Sequence, residues 1–198
     1  MDLGQGNLCK VPKTERYRMT AGRNVNSQNQ SWCTPKIYVD VIREFFGGTI
    51  DLDPCSNEHS IVGATVEYKP PMDAFQLSWN YSRIFVNPPY GADRHRGTSI
   101  RDWLRMCWEA GSLGSEVIAL VPVATNTGHW KRFVWGKATS VLFLADTRLK
   151  FLRDGQEDGK GAPMACALVY WGTDPARFRS FFAKYGAVVE LSRDPDPK

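Results

Sequence analysis

Arg83-Ile84-Phe85-Val86-Asn87-Pro88-Pro89-Tyr90 is the stretch on which the fold turns. Consecutive Ile, Phe and Val, stopped by prolines that cannot donate to a ladder, predict a short buried strand over residues 83–86 with a polar motif at its carboxyl end. The pattern recurs upstream, where residues 49–52 read as a strand leading into Asp51-Leu52-Asp53-Pro54-Cys55-Ser56. Before that, Thr34 and Pro35 read as an N-cap and first helical residue, with Ile37, Val41 and Phe45 on one face until Gly47 and Gly48 stop the helix. Downstream, residues 99–110 read as a helix presenting Ile100, Trp103, Leu104 and Cys107. They are followed by a strand over 116–121, a helix over 128–135 and strands over 140–145 and 165–170. Asp174-Pro175 then caps a helix that Gly186 closes before a last strand over 187–191. Such alternation predicts an α/β fold, a mostly parallel sheet with helices on both faces. Only 20 positions separate Asp53 from Asp73, too few for a regular helix and two strands, so that half of the sheet is expected to be abbreviated.

A chain of 198 residues with 42% hydrophobic content can bury one full core. Residues 1–31 are polar and aperiodic and read as a flexible arm, 32–192 as the folded domain and 193–198 as a tail. No run approaches the roughly 18 apolar residues of a membrane span, and the basic N-terminus has no apolar core for export, so a soluble cytoplasmic protein is expected. Five cysteines without a C-x-x-C pair and three dispersed histidines predict reduced thiols and no metal site. A net charge of +4 suits a polyanionic partner, and Arg94, Arg96 and Arg101 cluster after the proline motif.

The proline motif is suited to one kind of chemistry. The fixed φ of Pro88 and Pro89 aims the Pro88 carbonyl rigidly, and Asn87 adds a carboxamide oxygen. Together these acceptors can take both hydrogens of an exocyclic amine and hold its lone pair toward an electrophilic methyl group. Tyr90 offers a flat face for a base rotated out of a duplex. An ordinary turn would use the same residues, but the strand before the motif and the basic loop after it favour a site.

The motifs, taken in order, make the chain resemble the phage-type Dam-like family of DNA N6-adenine methyltransferases from Trp32 to about Tyr170. Trp32-Cys33-Thr34-Pro35 is similar to the family's opening Trp-x-Thr-Pro, Asp51-Leu52-Asp53-Pro54-Cys55 to its acidic cofactor loop, and Trp79 to the tryptophan before its catalytic strand. Phe85-Val86-Asn87-Pro88-Pro89-Tyr90 is similar to its catalytic segment and Arg148-Leu149-Lys150-Phe151 to its Arg-x-x-Phe.

The resemblance implies a Rossmann-like class I methyltransferase domain over 32–192, S-adenosylmethionine as cofactor, DNA as partner, and a bacterial cell or phage-infected host as the setting. It places Asn87, Pro88, Pro89 and Tyr90 at the catalytic centre and Trp32, Thr34 and Pro35 beside the methionine end of the cofactor. Asp53 would pair with the α-ammonium, Cys55 belongs to the same loop, and Asp73 would accept from the cofactor adenine amine. Glu67 is a candidate for the ribose hydroxyls, and Asp51 is either a cofactor residue or structural. Nucleic-acid contacts are expected from Arg94, Arg96, Trp130, Lys131, Arg148 and Phe151, with Trp130 and Phe151 equally readable as core; Trp79, Trp103 and Trp108 read as core. Cys55-Ser56-Asn57 stands where methyltransferases usually carry a glycine-rich loop. Competing readings are N4-cytosine, RNA or protein-glutamine amine methylation, and a non-enzymatic basic nucleic-acid-binding module. With no separate recognition domain, a short or relaxed target read by residues 91–98 and 153–161 is expected.

Overall fold

The computed structural model describes residues 32–93, 96–145, 149–153, 156–157 and 164–192; the arm, the tail, Arg94 and Arg148 lie outside them. In chain order these residues form β1 (Trp32–Cys33), α1 (Lys36–Phe45), β2 (Leu52–Asp53), β3 (Val66–Glu67), β4 (Arg83–Val86), α2 (Ile100–Ser112) and β5 (Glu116–Pro122). There follow α3 (Gly128–Phe133), β6 (Ser140–Leu144), β7 (Leu152–Arg153), β8 (Gln156–Glu157), β9 (Cys166–Trp171), α4 (Pro175–Phe182) and β10 (Gly186–Glu190).

Among the described residues the main sheet has seven strands in the order β10-β6-β9-β5-β4-β2-β3. β4 is its pivot, parallel to β2 on one side and to β5 on the other. β3 continues the parallel half, whereas β9 lies antiparallel between β5 and β6 and β10 runs antiparallel to β6. Most strands therefore share one direction, but the half beyond β5 is joined by antiparallel pairs, which the alternation pattern could not distinguish from parallel ones.

Period-two alternation divides the core. Ile84 and Val86 face one side with Trp103, Leu104, Cys107 and Phe133 of α2 and α3; Phe85 faces the other with Tyr38, Ile42 and Phe45 of α1 and Phe178 and Phe182 of α4. Burying each such side chain contributes about 1.5–3 kcal/mol, so both faces are needed to hold β4 in place.

Several boundaries move. α1 starts at Lys36, and its N-cap is Pro35 (φ −59°, ψ 142°) without a side-chain cap bond, so Thr34 does not cap the helix. Pro35 is extended, which leaves the Thr34 hydroxyl one residue too early to reach the first-turn N–H groups. Ile37 is 55% exposed, and the inward stripe is Tyr38, Val41, Ile42 and Phe45. The first strand of the sheet sits later, at Leu52–Asp53, although Ile50 and Asp51 already accept from Thr65 and Val66. The predicted cap does form at α4, where Asp174 accepts from the Arg177 N–H at 2.8 Å, and α2, read from its apolar stripe alone, starts with a capping box of Ser99 and Asp102. A short 3₁₀ turn, Ala183–Tyr185, precedes Gly186, where a Cβ would collide with the Phe143 carbonyl oxygen.

Residues 54–65 contain no helix and β3 spans two residues, so the β2–β3 side of the sheet is short. The sequence reading had no strands over 152–157. There β7 and β8 pair with each other, and β7 pairs antiparallel with β1, Trp32 opposite Arg153 and Cys33 opposite Leu152. The Asp154-Gly155 dipeptide between β7 and β8 is the sequence signal that could have revealed this hairpin.

Candidate active site

Chain order reverses between β2 and β4: β3 lies outside β2, and β4 returns on the opposite side. Loops at the carboxyl ends of such strands form a crevice, and those ends carry Asp53-Pro54-Cys55-Ser56 and Asn87-Pro88-Pro89-Tyr90.

Asn87 is half-buried, and its Nδ2 donates to the Trp32 carbonyl oxygen at 3.4 Å. A carbonyl only accepts, so the amide has one orientation, with the NH₂ toward β1 and Oδ1 left as an acceptor. The Tyr90 hydroxyl donates to the Leu120 carbonyl at 3.3 Å and lies 3.9 Å from the Cys166 sulfur. Burial holds the Tyr90 phenol well above its ordinary range, so it stays a neutral anchor. Its ring meets Phe151 edge-on at 5.8 Å, and Phe151 stacks on Trp32 at 5.5 Å with 20° between planes. Trp32, Phe151 and Tyr90 thus form an aromatic wall beside Asn87.

On the β2 side, Asp53 is 4% exposed and accepts from the Cys55 N–H at 3.1 Å. Burial raises its carboxyl to about 7; the Cys55 N–H opposes the rise and the Glu67 carboxylate, its register partner on β3, adds to it. The Cys55 thiol, pushed up by desolvation, lies against Asp53 and the main-chain N–H of Asn87, joining the two loops. Glu67 pairs with Lys69 at 2.8 Å.

Two hydroxyls in this corner lack partners: Thr34 Oγ1 and Ser56 Oγ are buried without a hydrogen bond, in residues 2% and 5% exposed. Their segments are tied together by the Cys33 thiol, 3.5 Å from Asn57 Oδ1 and 3.3 Å from the His59 carbonyl. An unsatisfied buried hydroxyl costs about 1–3 kcal/mol, and two beside a buried carboxyl fit a corner built for a polar ligand. The donor set suits an amino-acid zwitterion, hydroxyls for a carboxylate and a carboxylate for an ammonium, which is the form of the methionine end of S-adenosylmethionine.

A family model described as DNA N-6-adenine-methyltransferase (Dam) matches residues 22–190. The chain belongs to this family. Neither a curated protein nor a solved structure matches it.

In this Dam-family protein several expected site residues are placed elsewhere. Asp51 is spent on Arg83: the two make a bidentate ion pair at 2.6 and 2.9 Å, Asp51 also accepts the Arg83 N–H, and its carboxyl is held below the usual range mainly by the Arg83 hydrogen bond. The pair lies at the amino ends of β2 and β4. A polar cleft of about 580 Å³ lined by Asp51, Thr65, Tyr81, Arg83 and Ser115 opens at that end, away from Asn87. Trp130 is 1% exposed and donates to the Pro122 carbonyl at 3.2 Å, a place in the core. Phe151, 5% exposed, packs between Trp32 and Tyr90.

Asp73 accepts the Phe75 N–H at 3.1 Å, a turn that seats Phe75 on Trp103. Arg96 is exposed, but its main-chain N–H and guanidinium both face Asp93, at 3.2 and 3.9 Å. Lys131 is exposed on α3. Ser56 and Cys33 were not singled out from sequence: the Cys33 contacts join segments more than twenty residues apart, and the burial of Ser56 shows only in the fold. Among the described residues, no cluster of His, Cys, Asp or Glu could hold a metal ion and no helix is long and apolar enough to cross a membrane.

Proposed function

We propose that this Dam-family protein transfers the methyl group of S-adenosylmethionine to the N6 amine of adenine in DNA, on a Rossmann-like class I methyltransferase fold. The observation that carries the reading is the Asn87 carboxamide, turned by the Trp32 carbonyl so that Oδ1 is its free acceptor, one loop away from the buried Asp53 corner. The antiparallel insertion of β9 between β5 and β6 and the switch between β2 and β4 support the fold assignment.

The cofactor would supply an electrophilic sulfonium methyl. Asp53 binds its α-ammonium, the Thr34 and Ser56 hydroxyls its carboxylate, and Glu67 its ribose; Asp73 takes the adenine amine, with Trp32, Pro35 and Cys55 shaping the walls. Asn87 Oδ1 and the Pro88 carbonyl accept the two N–H groups of the target amine, orienting the lone pair and favouring the positive charge that develops on nitrogen. The proton released after transfer passes to water. Pro89 keeps the loop rigid, and the half-buried Tyr90 ring, fixed by its hydroxyl, lines the place of the flipped base. Arg94, Arg96, Lys131 and Arg148 meet DNA phosphates. Incubation with radiolabelled cofactor and unmethylated plasmid, followed by nucleoside analysis, should yield N6-methyladenine; label in N4-methylcytosine, or none in DNA, refutes the reading.

A further inference from the structure

Asp53 and Glu67 end β2 and β3 on one flank of β4, and the loop over residues 123–127 leaves β5 on the other. Methyl transfer is an in-line displacement, so the accepting nitrogen lies opposite the sulfur. If the cofactor occupies the Asp53 corner proposed above, DNA would deliver its base past the β5 flank. The loop there is built rigidly. Two indole N–H groups clamp it from α3 and the turn beyond: Trp130 donates to the Pro122 carbonyl at 3.2 Å and Trp135 to the Thr125 carbonyl at 2.9 Å. Thr127 closes it, donating from both its N–H (3.0 Å) and its hydroxyl (2.7 Å) to the Ala124 carbonyl, and Val123 is held by the Ala165 carbonyl at 2.9 Å.

Because the Thr127 hydroxyl spends its hydrogen on Ala124, it accepts from His129 Nε2 at 3.1 Å, and the ring keeps Nδ1 as an acceptor. Burial lowers the His129 pKa, which keeps the ring neutral. The tip of this clamped turn exposes Asn126, and Lys131 and Arg132 are exposed on the helix behind it. An exposed, uncharged carboxamide on a rigid turn, backed by two cations, has the composition of a base reader: cations hold the phosphate backbone, while the amide donor and acceptor match the N6 and N7 edge of adenine.

We infer that Asn126 is a sequence-reading residue of this enzyme, its carboxamide contacting the edge of a base that flanks the target adenine. This rests on the proposed DNA methylation and goes beyond it by naming the side chain that discriminates among sequences. The test is a duplex library carrying one methylatable adenine with randomised flanks, scored for relative methylation by the wild type, Asn126→Ala and Asn126→Asp. The wild type should prefer one base at one flanking position, with adenine the favoured partner, by about tenfold or more. Asn126→Ala should compress that spread to about twofold. Asn126→Asp, nearly isosteric and on an exposed turn, should move the preference toward cytosine, whose amine donates to a carboxylate. Profiles of both variants that superimpose on the wild type, or a wild type indifferent to its flanks, overturn the inference while leaving methylation intact. A wild type that methylates no DNA overturns the proposed function along with it.

Discussion

Replacing Asp53 with Asn should change how stability depends on pH, in a direction opposite to that of most carboxylates. Burial raises the Asp53 carboxyl from 3.8 to about 7, which at about 1.4 kcal/mol per pH unit corresponds to about 4 kcal/mol. In the unfolded chain the group ionises near 3.8; in the folded protein it keeps its proton until about 7. Its contribution is therefore fully present below pH 3.8, falls by about 2 kcal/mol by pH 5 and by about 4 kcal/mol at pH 7, and is flat above. Asn carries no proton to lose, so the advantage of Asp53→Asn over wild type should grow by about 2 kcal/mol between pH 5 and pH 7. Urea denaturation of the cofactor-free proteins at half-unit pH steps measures this. A difference between the two proteins that stays constant over that range would show that Asp53 is solvated, and the account of the corner would fail. The same titration governs the proposed cofactor contact: only the ionised carboxylate attracts an ammonium, so wild-type affinity for S-adenosylmethionine should rise about fivefold from pH 6 to pH 7, and Asp53→Asn should abolish that rise.

Asn87→Ala should lower methyl transfer at least about 100-fold while calorimetry shows unchanged cofactor affinity, because the lesion removes an acceptor for the target amine; activity within tenfold of wild type contradicts the role. Asp51→Ala should cost about 1–3 kcal/mol in denaturation and leave cofactor affinity alone, since its carboxylate serves Arg83, which is one-third exposed; a large affinity loss would return Asp51 to the site. Thr34→Val and Ser56→Ala should each weaken S-adenosylmethionine several-fold without lowering thermal stability, because the hydroxyls removed satisfy nothing in the free protein. Lower stability with unchanged affinity would mean these hydroxyls serve the fold.

The central strand, helix α2, the capped helix α4 and the Asn-Pro-Pro-Tyr stretch at the strand's end were legible because each is written locally. An apolar run stopped by prolines, a helical apolar stripe and an Asp-Pro start act over a few residues. Thr34-Pro35 looked the same in sequence as Asp174-Pro175, yet Pro35 is extended and α1 starts later. Trp130 and Phe151 carry no local mark of what their rings touch; the contacts with Pro122, Trp32 and Tyr90 exist only in the folded chain.

Local chemistry alone determined that a rigid Asn-Pro-Pro-Tyr acceptor follows a buried strand in an α/β chain, since backbone restriction at proline and period-two hydrophobicity act within the segment itself. Tertiary structure decided which acids remain available. Asp51 and Asp53 lie two residues apart and are indistinguishable by composition, but Asp51 meets Arg83 at one end of the strand pair, while Asp53 is shut away from water beside Cys55 and Glu67 at the other. Ionisation depends on solvation and on charges brought in from distant parts of the chain, and these exist only once β2, β3 and β4 are side by side.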